Sequence, residues 1–105
     1  AFADYQHPEK NGLSGSRNIY ITTPDGATLG VWQVLPDNLS DVNGTDDKIF
    51  EKMLDNGQNV VIYNHGNSGS RLSDHRVELY QVLRRHFHVI AVDYRSKCVY
   101  KFTLI

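Results

Sequence analysis

The sequence predicts an α/β chain, in which an antiparallel hairpin precedes a parallel strand–helix–strand unit and the sheet is left incomplete. Three observations carry that prediction. Two β-branched and aromatic runs, "NIYITT" and "TLGVWQVL", flank the turn "PDGA". A near-continuous apolar run, "NVVIY", lacks the alternation of a strand with one wet face. A helical stretch then separates it from a second all-apolar run, "VIAV".

Along the chain, residues 1–17 form a polar, turn-rich leading segment without periodicity. Asn18 to Thr23 and Thr28 to Leu35 are the hairpin strands, joined where Pro24 sets one backbone angle and Gly26 tolerates a positive φ. Pro36 to Thr45 is a polar loop with two N-glycosylation sequons, at Asn38 and Asn43. Asp46 to Leu54 has acidic residues in its first turn and Ile49, Phe50, Met53 and Leu54 at helical spacing. Asn59 to Tyr63 is a central strand. Ser73 to His86 opens on a capping serine and repeats Leu79, Leu83 and Phe87, which predicts the longest helix. Val89 to Val92 closes the right-handed crossover.

Composition narrows the function classes. At 105 residues the chain has room for one core. A net charge of -1, with 11 basic and 12 acidic residues interspersed, lacks the basic face that nucleic acid demands. The single cysteine, Cys98, cannot close an internal disulfide. No stretch reaches the roughly 20 apolar residues of a membrane span, so an anchor is expected only in segments outside this chain. A first residue that is alanine suggests a piece of a longer protein.

The loop "HGNSGSR", His65 to Arg71, follows the central strand, at the carboxyl end where open α/β folds collect ligands. It lacks the G-K-[ST] ending of a phosphate loop and is not G-x-G-x-x-G. A metal site built from His65, Asp74, His75, His86 and His88 is unfavourable, because His86 and His88 straddle a helix end and a strand start. The third reading is an oxyanion loop, in which Gly66 permits a tight turn and the Asn67 N–H points at a developing negative oxygen. Ser68 is no elbow nucleophile: "GNSG" is one residue short of G-x-S-x-G, and the elbow belongs to a later strand.

The stretch "VVIYNHGNSGSRLSDHRVELYQVL", with "HVIAVDYR" after it, closely resembles the α/β-hydrolase-domain lipases that act on monoacylglycerols and lysophosphatidylserine. "DHRVELY", Asp74 to Tyr80, is its most specific part, and "TLGVWQVLP" resembles the family's second strand. The resemblance covers Asn18 to Arg95. It implies the amino-terminal portion of an α/β-hydrolase fold over residues 18–95, followed by a divergent tail, 96–105, with no counterpart in the family pattern.

By that likeness Gly66 and Asn67 form the oxyanion site, while His65, Asp93, Tyr94 and Arg95 support the surrounding loops. No triad residue is carried over. The implied parent is a serine hydrolase of lipid esters that needs no cofactor or metal, anchored in the endoplasmic reticulum membrane with a lumenal domain that would suit the sequons. The chain itself is expected to be inactive. Two other classes fit the same residues: a non-catalytic lipid- or protein-binding product, and a fragment without function.

Overall fold

Where Pro24 to Gly26 interrupts the two β-branched runs, the chain reverses and the hairpin forms. In the computed structural model, which describes residues 6–42, 46–64, 74–93 and 101–104, β1 (Ser16–Thr22) pairs antiparallel with β2 (Thr28–Val34). Gly26 takes φ 88°, its N–H donates to the Thr23 carbonyl at 2.9 Å, and the Thr23 N–H donates to the Ala27 carbonyl at 2.8 Å. Only glycine adopts that φ without strain, so the turn's register is written into the sequence. β1 begins two residues earlier than its β-formers predict, because Val34 and Gln33 of β2 recruit the polar Ser16 and Arg17 as partners.

The crossover unit follows. After α1 (Asp47–Met53) the chain lays down β3 (Val60–Asn64), α2 (Asp74–Leu83) and β4 (His88–Asp93). β4 is parallel to β3 and antiparallel to β2. A last strand, β5 (Lys101–Leu104), pairs antiparallel with the free side of β3, giving one sheet of order β1-β2-β4-β3-β5. That strand lies in the tail for which the sequence predicted no element.

Register sets the core. Trp32 stands opposite Ala91, which stands opposite Tyr63, so one row of side chains crosses three strands on a single face. Helix α2 lays Tyr80 on that row. The Tyr80 ring meets Trp32 edge-on at 6.4 Å and Tyr63 at 5.9 Å, and Leu13, Val34 and Val89 complete the cluster. Leu13 comes from the leading segment, just after a 3-10 turn at Pro8–Asn11.

The helix buries one stripe more deeply than its leucines, which pack beside it against the core. Among the described residues of this segment the most buried are Arg76 and Tyr80 of α2 and Arg84 just beyond its end, four residues apart, while Leu79 and Leu83, and Phe87 after the helix, are half-buried and Val82 is 52% exposed. Counting only apolar residues missed this stripe, since arginine buries a long hydrocarbon stem when its head finds acceptors. Arg84 does so: its Nε donates to the Leu35 carbonyl at 3.1 Å and lies 3.3 Å from Asp37 Oδ1. Burial pulls this guanidinium below its usual pKa, and Asp37 opposes the shift. The Asp37 N–H donates to the Arg84 carbonyl at 2.8 Å, so the C-terminal end of α2 is tied to the chain leaving β2.

Helix α1 serves the opposite face. Asp46 caps it by accepting the Lys48 N–H at 3.0 Å. Buried Gln33 donates through Nε2 to the Phe50 carbonyl at 2.9 Å and accepts from Arg17 Nε at 2.7 Å. Arg17 also stacks over the Phe50 ring, 5.4 Å from its centroid, and pairs with Asp47 at 2.8 Å.

Candidate active site

Parallel β3 and β4 bring their carboxyl ends together, Asn64 opposite Val92, with Asp93 one residue further on. The chain leaves Asn64 for the glycine-bearing loop and re-enters described structure at Asp74, the first residue of α2. Residues 65–73 thus connect the end of a central strand to the positive end of a ten-residue helix. Packing of Tyr80 on Trp32 and Tyr63, with the Arg84 tie at the far end, fixes that helix against the sheet.

The expected site residues divide unevenly. His65, Gly66, Asn67, Tyr94 and Arg95 lie outside the described residues, as does the sequon at Asn43. Asp93 is half-buried at the end of β4, Cα partner of Gly30 in β2 and engaged in polar contacts of its own. Asn38 is exposed on a 3-10 turn, Asp37–Leu39.

One buried polar group escaped the sequence reading, and a second, His88, was weighed there only as a metal ligand. Asn64, the last residue of β3, is only 8% exposed, and its Oδ1 has no hydrogen-bond partner among the described residues. A buried acceptor left unpaired costs about 1–3 kcal/mol. Its signal was a carboxamide closing an otherwise apolar run. His88, at the opposite end of β4, is fully buried, with Nε2 2.8 Å from Asn56 Oδ1 and Nδ1 without a partner among the described residues. Burial lowers its pKa and holds it neutral.

His86, by contrast, is exposed, and among the described residues no group of three or more His, Cys, Asp or Glu could hold a metal ion. Among the same residues no helix is long and apolar enough to cross a membrane.

No protein-family model matches the chain, and no solved structure matches it. Curated proteins do. The chain is 41% identical, over 97 residues, to a Xenopus tropicalis protein named lysophosphatidylserine lipase ABHD12, an alignment that takes in 90% of this chain and 25% of that protein. It is 38% identical to the Mus musculus protein of the same name, over 90% of this chain and 24% of the relative. The Homo sapiens protein ABHD12B is 36% identical over 95 residues, 89% of this chain and 26% of its own length. The chain thus spans about a quarter of the length of these relatives. With the hairpin, the crossover and the strand order in place, the chain is homologous to a part of the α/β-hydrolase-domain family that includes the proteins named ABHD12 and ABHD12B.

Proposed function

We propose that the chain carries the oxyanion-stabilising part of a serine lipid-ester hydrolase and none of its catalytic triad. The observation that carries this reading is positional: the His65–Arg71 loop leaves the carboxyl end of β3 and leads to the positive end of α2. When a serine oxygen attacks an ester carbonyl, negative charge gathers on the carbonyl oxygen. The Asn67 N–H would donate to that oxygen, with Gly66 letting the backbone come close. His65, Asp93, Tyr94 and Arg95 would brace the loops on either side. One such donor is worth roughly 10²–10³ in kcat.

The names of the relatives support a lysophospholipid substrate for a protein of their full length, and monoacylglycerol is the second substrate class of this reading. A lumenal domain of the endoplasmic reticulum is the proposed location; exposed Asn38 would then be open to glycosylation. Without a triad nucleophile the expected loss is on the order of 10⁶ in kcat, so the chain alone should not turn over ester. A fluorophosphonate probe applied to the purified chain tests this. No labelling is expected, and labelling at Ser68 overturns the assignment of the loop.

A further inference from the structure

The free edge of β3 poses a problem that the tail solves. Val61 and Tyr63 are buried, Val60 and Ile62 half-buried, and no proline or lysine in Val60–Asn64 blunts the strand. Such a strand is built for the middle of a sheet. An uncovered edge of this kind is a template for pairing with another chain.

β5 takes that edge. Leu104 stands opposite Val61, Thr103 opposite Ile62, Phe102 opposite Tyr63 and Lys101 opposite Asn64, so four of the five β3 residues gain a neighbour. Connection length dictates the direction. The seven residues 94–100 join the carboxyl end of β4 to the partner of Asn64, two strand spacings or about 10 Å away. A parallel neighbour would require a crossover of about a dozen residues or more, so this tail can pair only antiparallel.

We propose that Lys101–Leu104 is a built-in edge cap that satisfies β3 within one molecule and thereby excludes a second copy of the chain, or any further parallel strand, from the same backbone groups. The inference does not depend on the hydrolase reading. Because the donors of a strand point alternately to either side, replacing both Phe102 and Thr103 by proline removes at least one N–H facing β3, whichever of the two it is.

The test compares the full chain with the F102P/T103P variant by size-exclusion chromatography and residue-resolved hydrogen exchange, with Trp32 emission reporting the core. The full chain should elute as a 12.0 kDa monomer with protected β3 amides. The variant should keep its Trp32 signal, self-associate, and exchange its edge-facing β3 amides in the monomer fraction at least about tenfold faster. Unchanged exchange with a monomeric variant overturns the cap. A second measurement does not rely on the variant folding. In a mixture of isotope-labelled and unlabelled full chain, the Ile62–Thr103 backbone contact must arise within single molecules; its appearance between molecules also overturns the proposal.

Discussion

The orientation of α2 makes a prediction that the leucine pattern does not. Tyr80 is fully buried and meets two rings edge-on, at 6.4 and 5.9 Å, whereas Val82, two residues later, is 52% exposed. Tyr80→Leu keeps an apolar side chain and removes both ring contacts. At about 0.5–1.5 kcal/mol each, that loss is about 1–3 kcal/mol. Tyr80→Ala also opens a cavity under the helix, for a total cost of about 3–5 kcal/mol. A domain of this size has only about 5–15 kcal/mol in hand, and each kcal/mol corresponds to about 4–8 °C in Tm. Tyr80→Leu should therefore lower Tm by roughly 4–24 °C, and Tyr80→Ala should leave the chain near the edge of folding. Urea unfolding followed by far-UV circular dichroism measures the difference, with the single tryptophan, Trp32, as a local reporter. Val82→Ala is the control and should change stability by no more than about 0.5 kcal/mol. If Val82→Ala costs as much as Tyr80→Leu, or if Tyr80→Leu costs less than about 0.5 kcal/mol, the helix does not bury the 76, 80 and 84 stripe.

Two further outcomes follow from local geometry. His88 is held neutral by burial, so its folded pKa lies below the ordinary value near 6.5 and the unfolded chain takes up the proton first. Its contribution should be intact above about pH 6.5 and fall as pH drops from there towards the lowered folded value, by at most about 1.4 kcal/mol per pH unit; urea midpoints across that range should slope less in His88→Gln than in the parent, and equal slopes count against the assignment. Gly15 has φ 67°, and a Cβ there would meet the Ser40 Cα at 2.8 Å, whereas Gly26, at φ 88°, has nothing within 4 Å. Gly15→Ala should thus cost more than the roughly 1–3 kcal/mol of backbone strain alone, and more than Gly26→Ala in the same thermal melt; equal costs would mean that the Ser40 backbone yields freely.

Hairpin, crossover and order of elements were legible because each rests on local chemistry. Pro24 and Gly26 demand a turn wherever they fold, and "VVIY" and "VIAV" carry no polar face to present to water. The burial of Arg76 and Arg84 was not legible, since it depends on what meets them. For Arg84 those partners are the Leu35 carbonyl and the Asp37 carboxylate, 49 and 47 positions away along the chain. Asn64 was overlooked, and the burial of His88 was not foreseen, for a related reason: a buried polar side chain looks like a surface one until its neighbours are known.

What the sequence determined by itself is the hairpin, the strand–helix–strand unit, the family resemblance, and the place of the glycine-bearing stretch after the central strand. All of these follow from short-range periodicity, turn residues and the local match "DHRVELY". Only the tertiary structure decided which helix face is buried, that Leu13 joins the core, and that Lys101–Leu104 lies on the edge of β3. Those outcomes depend on pairing and packing between distant segments. A tail of four β-compatible residues becomes a strand only where an unpaired ladder is within reach of a seven-residue connection.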